Sequence, residues 1–340
     1  MIKDALAKLA DRTDLSAQEA ETVMLEIMDG AATSAQMAAY LMGLRQKEET
    51  VAEVVGSVNA MRSRATKIRV GSSVVVDTCG TGGDGANTFN ISTAAAFVVA
   101  GAGITVAKHG NRSVSSRSGS ADVLSTLGVK IDLEPSRVAE CIDEVGIGFL
   151  FAPLYHGAMK QCAGVRQEMG IRTILNVLGP LANPAGATHQ VLGVYDAKWT
   201  DILGRVLLEL GSQHCFVIHG MDGLDEITLS DRTRVSEGKS GVVSSYFITP
   251  EEFDLSRVPK KEFAGGTPED NGKIIQDILQ GRKSPKRDIV CLNAAPAMVV
   301  GQKARTLKEG FRLAQQTIDT GAAAEKLERL IAFTHNAVDS

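Results

Sequence analysis

Two stretches rich in glycine and hydroxyl side chains, each behind a short apolar run, constrain this chain more than any other feature. The first reads Asp77-Thr-Cys-Gly-Thr-Gly-Gly-Asp-Gly-Ala-Asn-Thr-Phe-Asn-Ile-Ser-Thr93. The second reads Ala107-Lys-His-Gly-Asn-Arg-Ser-Val-Ser-Ser116 and resumes as Gly119-Ser-Ala-Asp122. Both are dense in backbone N–H and hydroxyl donors, and the second adds the cations Lys108 and Arg112. The runs ahead of them, Val74–Val76 and Ile104–Val106, are short and β-branched and read as buried strands. Phe216–Ile218 and Val191–Tyr195 repeat the pattern, with helical stretches from Thr93 to Gly101, Ala121 to Leu127 and Thr200 to Gly211. Strands alternating with helices predict a mainly parallel sheet covered on both faces. Loops that follow successive strands of such a sheet meet at its carboxyl edge, where α/β proteins bind ligands. The two loops together suit a ligand with phosphate at both ends.

The first seventy residues follow a different grammar. Ser16-Ala-Gln-Glu19, Thr33-Ser-Ala-Gln36 and Thr50-Val-Ala-Glu53 have capping-box spacing, and helical patterns run between them. Ala38, Ala39, Leu41, Met42 and Leu44 give one helix an apolar face too large for a lone hairpin, so another helix or a second subunit is expected on it. The fold class predicted is α/β: a small all-helical domain over residues 1–72 and a larger α/β domain over 73–340. Residues 250–285 read as a surface excursion plus a helix, and Thr306 to Ile331 as helical. At 340 residues, 44% apolar and 22% charged, the chain can bury one or two ordinary cores. A net charge of −4 argues against nucleic acid or an anionic membrane as partner. No apolar run reaches the ~18 residues of a membrane span. The opening residues lack a signal-peptide core, and the cytoplasm is the expected location.

Several motifs invite readings that their context rejects. Gly80-Thr-Gly-Gly-Asp-Gly85 matches the dinucleotide pattern GxGxxG. In that motif a helix follows at once and an acid about 20 residues on holds the ribose. Here Asn87 to Ser92 intervene, and Thr105 to Lys108 occupy the place of the acid. Gly238-Lys-Ser240 resembles the end of a P-loop, but Thr233 stands where its first glycine belongs. The five cysteines form no CxxC pair, which argues against a disulfide framework or a zinc site. Cys79 is read as a small space-filler rather than a nucleophile.

In the first loop, Gly80, Gly82, Gly83 and Gly85 let the backbone turn tightly and approach a ligand. Asn90, Ser92 and Thr93 lie where a helix begins. They are either plain caps or, with the free N–H groups and the helix dipole, a phosphate seat. The second loop favours the phosphate seat, because Lys108, Asn111, Arg112, Ser113, Ser115, Ser116 and Ser120 fall within thirteen residues. Asp222-Gly-Leu-Asp-Glu226 follows the strand ending at Ile218. Asp225 and Glu226 are either a solvated turn or, at the same sheet edge, ligands of Mg²⁺ directly or through water.

These motifs, with Gly223-Leu-Asp-Glu226 and Arg172-Thr-Ile-Leu-Asn-Val-Leu-Gly-Pro-Leu-Ala-Asn-Pro184, resemble the anthranilate phosphoribosyltransferase family, in matching order across residues 77 to 226. The resemblance implies a helical domain completed by a mid-chain segment near 153–185 and hinged to the α/β domain. It also implies a homodimer joined through the helical domains. By matching position, phosphoribosyl pyrophosphate is expected on Gly80, Gly83, Asp84, Thr88, Asn90, Ile91, Ser92, Thr93, Lys108, His109, Gly110, Asn111, Arg112, Ser113, Val114, Ser115, Ser116 and Ser120. Anthranilate is expected on Gly80, His109, Asn111 and Arg166, and Mg²⁺ on Ser92, Asp225 and Glu226. Lys108 and His109 are the candidate catalytic side chains, His109 as proton acceptor or as an orienting group. The implied reaction transfers the 5-phosphoribosyl group to the anthranilate amine, a step of tryptophan biosynthesis that releases pyrophosphate. Family members often carry proline where this chain has Gly157 and Gly164, and phenylalanine at Leu175.

Two other functions share parts of this pattern. A pyrimidine-nucleoside phosphorylase has related chemistry but needs an uncharged base pocket in place of Arg166. A non-catalytic relative that binds nucleic acid does not need intact loops or the Asp225–Glu226 pair, and the net charge of −4 argues against it.

Overall fold

The computed structural model describes residues 1–113 and 117–336. Four helices come first: Ile2–Ala10 (α1), Ala17–Met28 (α2), Ser34–Lys47 (α3) and Val51–Arg64 (α4). Ser16, Thr33 and Thr50 close capping boxes with Glu19, Gln36 and Glu53, as their spacing predicts. Each box satisfies backbone N–H groups that a helix start leaves without partners. Gly56 lets α4 cross α2 closely, since a Cβ there would lie 2.0 Å from the Ala17 carbonyl oxygen.

The α/β part runs Val75–Gly80 (β1), Ile91–Gly101 (α5), Thr105–Gly110 (β2), Ser120–Thr126 (α6), Pro135–Val145 (α7) and Ile147–Phe151 (β3). Short helices Ala152–Tyr155 (α8), Ala163–Met169 (α9) and Leu175–Leu181 (α10) follow, with a 3₁₀ turn at Gly157–Cys162. His189–Gly193 (β4), Trp199–Glu209 (α11), His214–Gly220 (β5), Thr233–Lys239 (β6) and Val242–Ile248 (β7) complete the sheet. Pro268–Leu279 (α12), Pro285–Val300 (α13), Leu307–Asp319 (α14) and Ala322–His335 (α15) close the chain.

The seven strands lie in the order β3-β2-β1-β4-β5-β6-β7, with β1 to β5 parallel and the last two antiparallel. The chain builds outward from β1 to β3, then returns to the other side of β1 as β4. That reversal opens a crevice at the carboxyl ends of β1 and β4. One apolar cluster joins α5, α13, α14 and α15 to one face of the sheet. A second joins α1–α4 to α9, α10, α11 and the opposite face of β4 and β5.

The sequence reading missed β3, β6 and β7. Ile147-Gly-Phe-Leu-Phe151 is a brief run behind a helix, β6 is polar in sequence yet mostly buried, and β7 is a short run at the exposed end of the sheet. Gly238-Lys-Ser240 closes β6 and opens its hairpin, which confirms that it is no phosphate loop. The C-terminal helical stretch is two helices, broken at Gly321 with φ +78°.

Candidate active site

The acidic turn after β5 sits directly on the crevice. Asp225 Oδ2 accepts the Gly82 N–H at 2.8 Å, and Glu226 Oε1 accepts the Ser92 N–H at 3.1 Å. One carboxylate thus holds the glycine loop and the other caps α5. The fit requires glycine on both strands beneath it. A Cβ on Gly193 would stand 1.6 Å from the Asp225 carbonyl oxygen, and one on Gly80 2.7 Å from its Oδ2. The turn is therefore packed against the sheet edge, with Leu224 buried and Asp225 and Glu226 half-buried. Burial, then the nearby Asp84, pushes Asp225 up to about 7. Burial, then Asp225, raises Glu226 well above the usual carboxylate range.

The glycine loop is gripped from three sides. Gly82, Gly83 and Gly85 all have positive φ, which side chains resist. The Arg172 guanidinium donates to the Gly83 carbonyl and lies 4.5 Å over the Tyr195 ring, while the Arg45 guanidinium from α3 donates to the Arg172 carbonyl. On the third side, residues 263–271 return to the loop. Phe89 N–H donates to Phe263 O, Gly265 N–H to Asn87 O, and Thr88 bridges Ala264. Asn271, 1% exposed, donates to Asn90 Oδ1 at 3.0 Å. Sequence reasoning missed Arg172 as a site residue, and it missed Asn271 because it read residues 250–285 as a surface excursion. Only long-range pairing brings that excursion back to the loop.

Lys108 does not extend into the open crevice. It is buried, its Nζ donates to Thr78 O at 2.5 Å, and burial lowers its pKa despite the neighbouring Asp77 and Glu226. Asp77, wholly buried, accepts the Asn183 amide at 2.8 Å and the His109 N–H at 3.2 Å. Burial pushes Asp77 up to about 6. Cys79 accepts a hydrogen bond from Gln190, and burial carries its thiol well above the ordinary range, so it is inert as a nucleophile. His109 stacks at a tilt 5.1 Å from His156, and burial, then His156, lowers it to about 3. It is neutral near pH 7.

Thr93 Oγ1, a buried polar atom at this edge, has no hydrogen-bond partner, while Asp84 lies against the Asp225 carboxyl and the His109 ring against the Gly179 backbone. Buried polar groups are almost always satisfied, so such a group invites a missing partner. Arg112 is brought to Asp122 at 2.9 Å and lies 5.8 Å from the Phe151 ring centroid. Asp122 also accepts the Ser113 and Gly119 N–H groups, which closes the second loop on the start of α6. Ser120 Oγ donates to the Asn111 carbonyl, and a Cβ on Gly110 would meet that hydroxyl at 2.2 Å. Val114, Ser115 and Ser116 lie outside the described residues. Arg166 is on α9, half-buried, with no ion-pair partner among the described residues. Gly157 and Gly164 have open space where a side chain would stand, and Leu175 is buried in the second apolar cluster.

A crevice between two donor-rich loops, with a half-buried acidic turn on it and a helical bundle beside it, has the form of a transfer enzyme, and the family comparisons give its class as glycosyl transfer. The profile of the glycosyl transferase family's helical bundle domain matches residues 3–65, and that of its a/b domain matches residues 72–324. An anthranilate phosphoribosyltransferase of Anaeromyxobacter dehalogenans is 56% identical over 98% of this chain and 99% of its own length. Another, from Symbiobacterium thermophilum, is 54% identical over 98% of both. The Thermus thermophilus anthranilate phosphoribosyltransferase structure superposes with a TM-score of 0.92 at 42% identity, covering 97% of this chain and 99% of that one. A Saccharomyces cerevisiae anthranilate phosphoribosyltransferase in complex with PRPP and Mg gives 0.88 at 27% identity, covering 99% and 98%. The chain belongs to the anthranilate phosphoribosyltransferase family.

Proposed function

We propose that this protein transfers the 5-phosphoribosyl group of phosphoribosyl pyrophosphate to the amine of anthranilate, in tryptophan biosynthesis. The observation that carries the reading is the half-buried Asp225–Glu226 turn, seated on Gly80 and Gly193 and bonded to both the glycine loop and the start of α5. The orphaned Thr93 Oγ1 at the start of α5 supports it, since a bound sugar phosphate would complete it.

The amine nitrogen forms a bond to the ribose anomeric carbon while the bond from that carbon to pyrophosphate breaks. The pyrophosphate takes the electron pair, and the amine nitrogen loses one proton to solvent. Such a reaction needs positioning and charge stabilisation more than a covalent nucleophile. Gly80, Gly83, Thr88, Asn90, Ile91, Ser92 and Thr93 would hold phosphoribosyl pyrophosphate from the first loop. Lys108 through Ser116, with Ser120, would hold it from the second. Arg166 would meet the anthranilate carboxylate, with Gly80, His109 and Asn111 beside the ring. With a pKa lowered to about 3, His109 suits orientation of the acceptor better than removal of its proton.

Two half-buried carboxylates raised above their ordinary range fit a divalent cation, which would restore their charged forms. No three His, Cys, Asp or Glu side chains among the described residues form a closed metal cage. This suits Mg²⁺, which keeps waters and shares phosphate oxygens. Asp225 and Glu226, with Ser92, would hold it. When bound, the ion would neutralise charge on the departing pyrophosphate.

We further infer a division into units at residues 1–72 and 73–340, with the 153–185 segment serving the first, and a homodimer through the helical unit. Exposed Met1, ahead of α1, and Met42 on α3 support the dimer, which sedimentation would test. Among the described residues no helix is long and apolar enough to cross a membrane. A cytoplasmic location is consistent with that.

Loss of anthranilate fluorescence, followed with and without phosphoribosyl pyrophosphate and Mg²⁺, tests the function. Consumption that needs both is expected. Turnover of a pyrimidine nucleoside with phosphate, and none of anthranilate, would replace this reading with a phosphorylase.

A further inference from the structure

A second cavity, of about 700 Å³, opens beside the amino-terminal ends of β4 and β5, the sheet edge opposite the glycine loops. Its size falls in the range of small-molecule sites, about 300–1,000 Å³. His189 and His214 begin the two strands and are register partners, so the pleat sets them side by side in the wall. Both are buried, at 2% and 7% exposure. Lys239, at the end of β6, and Arg305, ahead of α14, stand around the same space with the hydroxyls of Ser212 and Ser240.

Charge decides what this cavity suits. Lys239 and Arg305 are exposed; Glu237, two residues along β6, is the acid that Lys239 faces, and no carboxylate among the described residues forms an ion pair with the Arg305 guanidinium. The nearby carboxylates are already engaged. Glu237 accepts from His214 at 2.8 Å and from the Tyr246 hydroxyl at 3.2 Å, and Glu309 accepts the Arg305 backbone N–H at 2.8 Å. His189 Nδ1 lies 2.9 Å from Thr188 Oγ1, which fixes the ring while its other nitrogen remains. A chain of net charge −4 thus gathers two cations and two buried imidazoles about one cavity, against the single carboxylate of Glu237 that His214 already holds. Exposed Lys239 and Arg305 are ordinary by themselves, but two imidazoles taken out of water as register partners in the wall between them are not.

We propose that this cavity is a binding site for a small organic phosphate, separate from the crevice at the carboxyl edge. A guanidinium fork with an ammonium point charge and two hydroxyls suits the several acceptor oxygens of a phosphate group. Val299 and Ala304 provide an apolar wall for the organic part. The site does not depend on the transferase reading, because none of its residues belongs to the crevice.

The chain has six histidines, so their ring signals can be assigned one by one in the labelled full-length protein. Ribose 5-phosphate, without magnesium, is the probe, with ribose and acetate as controls. The expected result is a saturable shift of the His189 and His214 rings, with half-saturation at about 1 mM or below. In Lys239→Ala/Arg305→Ala that half-saturation should rise at least about tenfold, while anthranilate turnover stays within about twofold of the parent. Shifts confined to His109 place the probe in the crevice and overturn the proposal. Equal shifts with acetate, or shifts the double variant leaves unchanged, mean an adventitious ion only and overturn it as well.

Discussion

Arg166 is a half-buried guanidinium with no ion pair among the described residues, so its donors are available to a ligand carboxylate. Removing one partner of a desolvated charge pair costs roughly 2–4 kcal/mol, about 30- to 1000-fold. Arg166→Ala should therefore weaken anthranilate by that factor in kcat/KM and affect phosphoribosyl pyrophosphate far less. Equal losses for both substrates would move the acceptor site elsewhere. The acidic pair carries a different expectation. Asp225→Ala/Glu226→Ala should lower turnover by a factor on the order of 10² or more, and near-normal turnover at low Mg²⁺ would show that the metal seat lies elsewhere. His109 and His156 make a pH prediction. Burial lowers them to about 3 and about 4, so between there and about 6.5 the unfolded chain binds protons that the native chain refuses. Stability from this pair is full above about 6.5 and is lost as pH falls, by at most about 1.4 kcal/mol per pH unit per group. Urea unfolding at pH 6.5 and 4.5 should show a smaller acid loss in His156→Gln than in the parent. An identical loss would mean that His156 is already protonated when folded.

At the level of elements, two helix glycines should respond in opposite directions to the same change. Gly164, early in α9, has no other atom within 4 Å of the place a methyl group would take, so Gly164→Ala should stabilise the fold by about 0.5–1 kcal/mol through the unfolded state. Gly56 in α4 would drive its Cβ to 2.0 Å from Ala17 O and 2.9 Å from Glu21 N, both backbone atoms of α2. Gly56→Ala should cost about 1–3 kcal/mol or more, because neither helix can yield without losing the packing between them. Thermal unfolding of the two variants checks both signs, and a stable Gly56→Ala would mean that the α2–α4 crossing has room to open. The helix starts were legible because Ser16, Thr33 and Thr50 act within one turn. The same is true of β1 and β2, whose apolar runs need no knowledge of their neighbours. Strands β6 and β7 were not legible, since Thr233–Lys239 and Val242–Ile248 become strands only by pairing with β5 and with each other.

Across the whole molecule, Arg172 is one of the links between its parts, beside the second apolar cluster and Arg62 of α4, which donates to the Leu181 and Leu210 carbonyls. Through its carbonyl Arg172 takes Arg45 from the helical start, and through its guanidinium it holds Gly83 while stacked on Tyr195. These contacts connect the helical start to the loop expected to hold phosphoribosyl pyrophosphate. Arg172→Ala should raise the KM for that substrate by about tenfold, the effect of losing one charge-assisted hydrogen bond, and leave the KM for anthranilate near the parent value. Arg172→Lys should recover only part, since an ammonium cannot both stack flat on Tyr195 and reach Gly83. Parent-like kinetics in Arg172→Ala would show that the glycine loop keeps its shape without the link.

The chain alone determined the alternation of strand and helix, the capped helical start and the two donor-rich loops, because each is written in residues close together in sequence. Its motif order also carried the family, since Asp77 to Thr93, Lys108 to Arg112 and Gly223 to Glu226 keep their sequence together with their chemistry. Tertiary structure alone decided where those residues stand. It buried Lys108 against Thr78, turned Arg112 to Asp122, set Asp225 over Gly80 and Gly193, and brought Asn271 back to Asn90. Whether a carboxylate is a solvated turn or a charge held out of water depends on what packs over it. Contacts more than a hundred residues apart, such as Gly82 with Asp225, make that choice, and no local pattern contains them.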